Sequence, residues 1–481
     1  MFVGREYELG LLKGCMKRDS AVLVVCQGRR RIGKSTLIQE FGKKHRFCEF
    51  FGLAPRENMT NADQLRHFGE LMGGVFSIPA MNFNNWNHAF STLAGLTAKG
   101  RVIILLDEIS WMGSKDRDFA GKLKGAWDTK FKKNKKLILV FCGSVTSWID
   151  KNILNDKGFV GRVSLTISLD ELPLNHADKF WGKNKGISSY EKLKLLCVTG
   201  GVPRYLEEII PLDSAEKNIK RMCFLKEGLL FSEFDKIFRD IFERRADSFK
   251  KIVSCLAQGS AEPGELAKKL GVNPTGGLSG SLEILEKSGF ISRDYVWSFT
   301  GKVSSRSKYR LRDNYLRFYL KYIEPVKHKI QKDLYRGIHL ENLKGWETIM
   351  GFQFENLVLN NLNMIIKKLD IAPETIISAA PYFQKKTLRK EACQIDLLIH
   401  TRFSVYVCEI KYRKRVDSNI IKSIEEKIKK LKTPKNLSIR PVLIYAGELS
   451  DNVKTSGMLN QCISFNDLIN CKSPQNRQTQ D

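Results

Sequence analysis

Residues 21–41 read AVLVVCQGRRRIGKSTLIQEF and contain, in order, an apolar run, a turn between two glycines and a helical pattern. This order of strand, loop and helix is the context in which the spacing GxxxxGK[ST] forms a phosphate-binding loop. Gly28 and Gly33 can adopt backbone angles that a Cβ disfavours, so consecutive N–H groups can turn inward at a helix N-terminus that favours anions. The stretch therefore predicts a phosphate site; a mere glycine-rich turn before a helix is the alternative.

The residue types in this loop predict separate roles around ATP. Lys34 would reach the β- and γ-phosphates, and the Ser35 hydroxyl would ligate Mg²⁺. The residues expected to contact the nucleotide form one continuous segment: Gly28, Arg29, Arg30, Arg31, Ile32, Gly33, Lys34, Ser35 and Thr36. ATP and Mg²⁺ are therefore the predicted ligands of this part of the chain.

A second motif, RVIILLDE at 101–108, is an apolar run that ends in two acids. The pattern is typical of a buried parallel strand that delivers carboxylates at its C-terminal edge. Asp107 would hold the Mg²⁺ shell, and Glu108 would polarise the water that attacks the γ-phosphate. The alternative is a strand followed by an acidic turn. With Lys34, the two acids predict an ATP-hydrolysing site.

Three more polar residues are candidate nucleotide contacts, each with an ordinary alternative. Arg5, in FVGRE, is a candidate contact to the base or ribose, or a plain surface arginine. Ser144 follows the apolar run 137–142 and could sense the γ-phosphate or cap the next helix. Arg162 could reach the phosphates from its own chain or from a neighbouring subunit of a homo-oligomer, or form a salt bridge.

Lysine and arginine outnumber aspartate and glutamate by 80 to 52, a net charge of +28 spread along all 481 residues. This charge predicts attraction to polyanions, and we expect largely sequence-independent contact with DNA; a solubilising surface is the alternative. The eleven cysteines form no CxxC pair and are interpreted as core residues in a reducing compartment. With no apolar signal core and no run of membrane-spanning length, the sequence predicts a cytoplasmic protein without membrane contact.

Six short motifs, in order, resemble those of the archaeal-type ATPases, a P-loop group allied to AAA+ and STAND NTPases. They are FVGRE, GRRRIGKST, IILLDEIS, FCGS, the GR that contains Arg162, and TGGVPRYL, over about 210 residues. The resemblance implies ATP binding, a small helical lid after the core and a C-terminal module of variable chemistry. TGGVPRYL suits a turn in that lid, or a simple connection between helices.

The pattern from residue 246 onward changes to three short helices followed by two strands, predicted at 247–257, 263–270, 275–287, 290–297 and 308–311. This order is the outline of a winged helix-turn-helix. Its third helix begins TGGLSGS and offers no Arg, Asn or Gln to base edges, so specific readout is not expected. The module could grip phosphates through its wing or dock within the protein. The basic wing residues are Lys302, Arg306, Lys308 and Arg310.

Two strand-like pieces near the C-terminus, 394–399 and 405–411, are separated by a turn. Because side chains along a strand repeat every second residue, Glu409 and Lys411 should share one face. Hairpin pairing of the two strands could bring Asp396 to that face. Two carboxylates and a lysine are the parts of a Mg²⁺ site for metal-assisted phosphodiester hydrolysis, so all three are candidate catalytic residues.

This arrangement resembles the PD-(D/E)xK nuclease fold over roughly residues 345 to 450, with Asp396, Glu409 and Lys411 on the motif positions. The resemblance makes Glu355 the helix acid, which would join Asp396 and Glu409 in the metal shell. No proline precedes Asp396; Ile395 stands there. A degenerate fold kept for binding, or an ordinary ion pair at a strand edge, is the alternative.

The sequence as a whole predicts an α/β protein: a P-loop NTPase parallel sheet with a helical lid, a winged helix-turn-helix and a C-terminal restriction-endonuclease-like α/β domain. The predicted boundaries are 1–170 for the P-loop core, 171–244 for the lid, 245–312 for the winged helix, 313–344 for a helical connector, 345–472 for the nuclease-like domain and 473–481 for a disordered tail. The predicted function is Mg²⁺-dependent ATP hydrolysis linked to DNA cleavage. The alternative is a nucleotide-driven switch or scaffold that binds DNA or protein through an inactive C-terminal domain.

Overall fold

The computed structural model describes residues 2–54, 56–144, 147–182, 186–242, 245–273, 276–299, 303–386 and 391–471. The chain divides into two compact units, Met1–Glu171 and Leu172–Asp481. The predicted end of the core at residue 170 lies one residue from this division, whereas the finer domain boundaries stay predictions. The predicted tail at 473–481 lies outside the described residues, as does Lys302 of the predicted wing.

The first unit is built on a sheet of five parallel strands. The strands are β1 (Val22–Gly28), β2 (Arg46–Phe51), β3 (Val102–Asp107), β4 (Leu137–Ser144) and β5 (Leu165–Leu169). Their order across the sheet is β2-β3-β4-β1-β5, and every neighbouring pair is parallel. All the carboxyl ends therefore lie along one edge, where open α/β sheets bind their ligands.

Helices cover both faces of this sheet. They are α1 (Glu6–Cys15), α2 (Lys34–Gly42), α3 (Asn61–Phe76), α4 (Trp86–Leu96), α5 (Ile109–Met112), α6 (Phe119–Thr129) and α7 (Ser147–Ile149), which a π-helical turn, Asp150–Leu154, follows. Alternate residues of β1 pack on opposite faces: Leu23 and Val25 against α3, α4 and α6, and Val24 and Cys26 against α1 and α2. Burial on both faces explains why the central strands are unbroken apolar runs in the sequence.

The second unit begins with a helical region that carries a two-stranded hairpin. The helices are α8 (Leu174–Ala177), α9 (Ser189–Thr199), α10 (Pro203–Leu206), α11 (Ala215–Cys223), α12 (Leu229–Phe242), α13 (Ala246–Ala257), α14 (Pro263–Leu270), α15 (Gly276–Lys287), α16 (Asn314–Phe318) and α17 (Lys327–Gln331). The hairpin pairs β6 (Ile291–Trp297) with β7 (Val303–Leu311) in antiparallel fashion. The three helices and two strands predicted from residue 246 onward are thus confirmed, although β7 begins five residues earlier than predicted.

The second unit ends in a mixed five-stranded sheet. Its strands are β8 (Ile376–Gln384), β9 (Cys393–Thr401), β10 (Ser404–Val416), β11 (Ser438–Leu449) and β12 (Gln461–Ser464). Its helices are α18 (Trp346–Asn360), α19 (Leu362–Lys368), α20 (Asn419–Lys430), α21 (Asp451–Lys454) and α22 (Phe465–Ile469). The strand order is β12-β11-β10-β9-β8; β9 is antiparallel to both neighbours, while β11 is parallel to both of its own. The predicted hairpin of two strands is confirmed as β9 and β10.

The cysteines and the helix lengths bear on two further expectations. All eleven cysteines are free thiols in this structure, and nine of them are buried, which confirms for those nine the interpretation as core residues. Within the described ranges, no helix combines the length and the apolar character needed to cross a membrane.

Candidate functional site

The loop after β1 has a backbone shaped by its glycines. Arg31 and Gly33 adopt positive φ angles of 70° and 86°. A Cβ on Gly28 would lie 2.6 Å from the carbonyl oxygen of Leu169, so only glycine fits there without a shift. Inside the loop, the Lys34 ammonium donates to the carbonyl oxygens of Gly28 and Arg29 at 3.2 and 3.1 Å. The loop therefore holds its lysine in a buried position at the start of α2.

The two residues predicted to ligate Mg²⁺ meet at the edge of the sheet. Ser35 Oγ on α2 donates to Asp107 Oδ2 at 2.6 Å, and the other Asp107 oxygen accepts from the Glu108 N–H at 2.9 Å. A hydroxyl and a carboxylate side by side are oxygen donors of the kind that Mg²⁺ takes from proteins. The donor pair therefore fits the predicted metal.

Glu108 has a strained backbone and a perturbed carboxyl group. Its φ angle is 47°, a conformation that non-glycine residues adopt mainly where the surroundings enforce it. Burial raises the pKa of Glu108, and the Asp107 charge adds to this, while Lys34 and the Ser144 N–H oppose it. Ser144 lies beside Gly28 in the paired ends of β4 and β1. The main chain of the predicted sensor thus contacts the predicted base.

The arginines predicted near the nucleotide have protein partners. Arg5 is 7% exposed and donates to the carbonyl oxygens of Ile32 and Asp170, which corrects the surface-arginine alternative. Arg162 forms a bidentate pair with Asp128, with N–O distances of 2.9 and 2.8 Å. The salt-bridge alternative thus describes Arg162 in this structure. Contact with the base or ribose stays a prediction for Arg5, and contact with the phosphates stays a prediction for Arg162.

Four further residues of the predicted nucleotide-binding segment can be located from their contacts or their burial. Arg29 pairs with Glu171 at 3.0 Å, and both side chains are largely buried. The charge of Arg30 lowers the pKa of Glu108 against the effect of burial, so it lies close to that carboxyl. Ile32 is fully buried, and Thr36 is exposed on α2. The sequence predicted that Arg29 contacts the nucleotide and gave no sign of Glu171, because the two residues are 142 positions apart in the chain.

A second cluster forms in the C-terminal sheet. Lys411 and Glu409, on one face of β10, lie 2.6 Å apart between Nζ and Oε1. Asp396 on β9 accepts from the Ile410 N–H at 2.9 Å and lies 4.0 Å from Lys411 Nζ. Burial and the Asp396 charge raise the pKa of Glu355, on α18, to about 7. The four residues predicted from the sequence are thus brought together.

Lys427 joins this cluster from α20, and sequence reasoning missed it. Its Nζ lies 2.5 Å from Glu409 Oε2 and 3.9 Å from Asp396 Oδ1. Burial lowers the pKa of Lys427, but the two carboxylates outweigh it and raise that pKa overall. The signal was available in the apolar stripe of α20, where Ile420 and Ile424 are followed by a lysine in the next turn.

The carboxylates of this cluster are neutralised by lysine ammonium groups. Burial and the Glu409 charge raise the pKa of Asp396, against the opposing effects of Lys427 and Lys411. In the part of the chain that the structure describes, no three Asp, Glu, His or Cys side chains are arranged to hold a metal ion. The predicted ligands therefore fit a hard cation by their chemistry only if Lys427 moves away.

The basic wing contacts the C-terminal sheet and its helix α18. Arg310 pairs with Asp294 at 3.1 Å and hydrogen-bonds Asn356 on α18, with both charged side chains largely buried. Lys308 Nζ lies 4.1 Å from the ring centre of Phe383 on β8. The docking alternative therefore describes these two residues, and phosphate contact through the rest of the wing stays a prediction. Arg306 is exposed.

The parallel sheet, the loop after β1 and the two acids after β3 give the first unit the architecture of a P-loop nucleotide-binding domain. Residues 2–209 match the family model described as an ATPase domain predominantly from Archaea. An uncharacterised protein of Methanocaldococcus jannaschii is 26% identical over 376 residues, which span 76% of this chain and 79% of that protein. A Walker-type ATPase of Pyrococcus abyssi shares the fold at 18% identity and a TM-score of 0.51, covering 66% of this chain and 96% of its own. The archaeal-type ATPase resemblance is thereby confirmed for residues 2–209, and ATP is the ligand that it implies.

Proposed function

We propose that this protein hydrolyses ATP and acts on DNA through a C-terminal domain of the PD-(D/E)xK nuclease type. The observation that carries the DNA part is the convergence of Glu355, Asp396, Glu409 and Lys411 from α18, β9 and β10. The ATPase part rests on the contact between Ser35 and Asp107 beside a buried glutamate.

In the ATPase unit, each residue has a task set by its position. The Lys34 ammonium leaves the loop carbonyls and binds the β- and γ-phosphates, whose charge it offsets. Ser35 and Asp107 would hold Mg²⁺, which neutralises charge on the transferred phosphoryl group. Glu108 accepts the proton of the attacking water, and its raised pKa makes it a stronger base than an ordinary glutamate. Its contact with Ser144 connects that base to β4.

In the C-terminal unit, the sheet order supports the nuclease assignment. The strands β8, β9 and β10 form an antiparallel meander, and β11 and β12 then add parallel to β10. Helix α18 precedes β8 in the chain, and α20 follows β10. The acids lie where β9 and β10 meet. A divalent metal on Asp396 and Glu409 would supply a Lewis acid for phosphodiester hydrolysis. Lys411 is placed to orient or deprotonate the attacking water, and Glu355 to accept a metal-bound ligand's hydrogen bond or to ligate the metal.

One observation favours the alternative of a nucleotide-driven switch. Lys427 and Lys411 both lie within 2.6 Å of Glu409, so the acidic cluster is already neutralised without a metal. A cluster that stays neutralised would hold no metal, so the domain would not cut DNA. The nuclease and the switch therefore differ in whether a metal ion can displace the Lys427 ammonium from the carboxylates.

The deciding experiment is cleavage of plasmid and linear DNA by the purified protein with Mg²⁺ or Mn²⁺, with and without ATP. We expect nicking that disappears in Asp396→Asn and persists in Asp417→Asn, a matched exposed carboxylate on the same unit. Cleavage that responds to ATP in the wild type but not in Lys34→Ala would link the two units. If ATP is hydrolysed and no DNA is cut under any condition, the switch is the function.

A further inference from the structure

A cavity of about 480 Å³ opens on the first unit, and its lining includes no residue of the phosphate loop. One wall is the turn after α5, with Ser114, Lys115, Asp116 and Arg117. The other wall is the segment from α7 onward, with Trp148, Lys151 and Asn152. Its volume is that of a site for a small molecule or a short piece of a polymer.

The charges around this cavity are unbalanced. Lys115, Arg117 and Lys151 are all exposed, and among the described residues none of them makes an ion pair. Asp116 is the one carboxylate among the lining residues, and Lys122 neutralises it at 2.7 Å. The Asp116 carboxylate also accepts the Asp118 N–H at 2.9 Å, which fixes the turn. The cavity therefore presents three cations to any ligand.

An aromatic ring lies among these cations. Trp148 is half-buried against Gly113, where a Cβ would lie 2.8 Å from the indole Cζ2. Its ring centre is 6.1 Å from that of Phe119, so the indole is held in place from the protein side while its free surface lines the cavity. A held aromatic ring among cations is the combination with which proteins bind single-stranded nucleic acid, since bases stack on the ring and phosphates contact the charges.

Both walls of the cavity continue directly from residues of the nucleotide site. The turn at 114–117 follows Glu108 through the single short helix α5, and α7 begins three residues after Ser144. Ser144 and Glu108 are themselves in contact. A ligand that contacts both walls would therefore shift Glu108, the proposed general base, through the main chain.

We propose that this cavity binds a segment of single-stranded nucleic acid, with phosphates on Lys115, Arg117 and Lys151 and a base on Trp148, and that this binding alters ATP hydrolysis. The aromatic ring favours nucleic acid over an acidic protein, because a base can stack on the ring whereas acidic side chains would use only the cations. The net charge of +28 draws such a polyanion to the protein. The effect on hydrolysis rests on the ATPase function proposed above, whereas the binding does not.

Binding is tested on the full chain without nucleotide, by anisotropy of a labelled oligothymidylate over a salt series. In the triple variant Lys115→Gln, Arg117→Gln, Lys151→Gln we expect affinity to fall about tenfold or more and the slope of log K against log salt to shrink by about 2, because each contact to a single strand contributes about 0.7. The matched control Lys133→Gln, Lys135→Gln, Lys136→Gln removes the same charge from an exposed lysine run of the same unit and should change little. An equal loss in both variants would overturn the proposal, as would an absence of oligothymidylate binding in the wild type.

Two further measurements separate base stacking and coupling from charge alone. Trp148→Leu, checked for an unchanged thermal transition, should weaken oligothymidylate binding about tenfold and leave binding of inorganic polyphosphate as it was. If Trp148→Leu weakened the binding of oligothymidylate and of polyphosphate equally, stacking of a base on Trp148 would be refuted. Oligothymidylate should change the ATPase rate of the wild type and of the control, but not of the triple variant. An unaltered wild-type rate would refute the coupling while the binding result stands separately.

Discussion

Lys427 Nζ lies 2.5 Å from Glu409 Oε2, so an ammonium group from α20 fills the space between the two acids at the junction of β9 and β10. The same ammonium lies 3.9 Å from Asp396. A cation that binds these carboxylates must compete with a positive charge that the chain already supplies. Metal affinity at this cluster is therefore set partly by a residue outside the ligand set.

Replacing Lys427 with methionine should tighten Mn²⁺ binding by the second unit. The change keeps the aliphatic stem and removes the competing charge, so we expect an affinity gain of about tenfold or more, from an interaction worth roughly 1.5–3 kcal/mol. Calorimetric titration with Mn²⁺ measures it. Lys429→Met, on the exposed side of α20, is the matched control. Identical affinities in both variants would show that Lys427 does not occupy a metal position.

Mn²⁺ binding at the same cluster should depend on pH. Burial and Asp396 raise the pKa of Glu355 to about 7, so its carboxyl is protonated below that pH and charged above it. A raised carboxyl pKa means that a metal must displace a proton at low pH, and affinity should therefore rise as pH increases through about 7. Titrations on either side of this pH test it. In Glu355→Gln the pH dependence should flatten, and a dependence unchanged by that substitution would point to another group.

Lys34→Ala should weaken ATP binding and leave the protein folded. The substitution deletes the buried ammonium that would bind the phosphates, and one charge-assisted hydrogen bond contributes about 1.5–3 kcal/mol. Affinity should thus fall about tenfold to a hundredfold, as measured by titration with a fluorescent ATP analogue. Lys43→Ala changes an exposed lysine just beyond α2 and should bind normally. Unchanged affinity in Lys34→Ala would contradict the phosphate-loop assignment.

Glu108→Gln should still bind ATP but hydrolyse it about 10²- to 10⁴-fold more slowly, the usual contribution of a general base. The wild-type rate should also have an acid limb. Because burial raises the pKa of Glu108, the charged base is lost as pH falls through a value above that of an ordinary glutamate. A pH profile of single-turnover hydrolysis reports this limb. A rate that is flat down to the usual glutamate range would assign the proton to another acceptor.

Arg310→Ala should destabilise the second unit by about 3 kcal/mol, because it leaves the carboxylate of Asp294 buried without its partner. Urea unfolding followed by circular dichroism measures the loss. The double change Arg310→Met with Asp294→Leu should lose less, since it removes both charges together. Arg306→Ala, at an exposed position of the same strand, should stay within about 0.5 kcal/mol of the wild type. An equal loss in both single variants would argue against the docked wing.

The parts of the fold that the sequence predicted well are those encoded by neighbouring residues. The phosphate loop carries its glycines, lysine and serine within one turn, and the strand 102–107 ends in its acids without interruption. The face shared by Glu409 and Lys411 follows from a period of two along β10. Such features depend on local geometry, which a single sequence displays directly.

The partners of individual charges were not predictable in this way. Arg162 is paired with Asp128 across a distance that only the tertiary fold closes, and Arg310 is paired with Asp294 across the hairpin of β6 and β7. A basic residue in a sequence carries the same charge whether it faces phosphate or a buried carboxylate. Lys427 illustrates the limit best, since the apolar stripe of α20 indicates the face that this lysine lies on but does not identify Glu409 as its neighbour.

Arg5 extends these considerations to the handling of the protein. It adopts a positive φ angle of 67°, and its guanidinium group ties the amino-terminal segment to Ile32 in the phosphate loop and to Asp170 after β5. Proteolytic removal of the residues up to and including Arg5 would release the phosphate loop from this contact while every residue of the loop itself stays in place. Loss of ATP affinity in a protein shortened in this way would then come from a phosphate loop that has lost a supporting contact, although the loop sequence is intact.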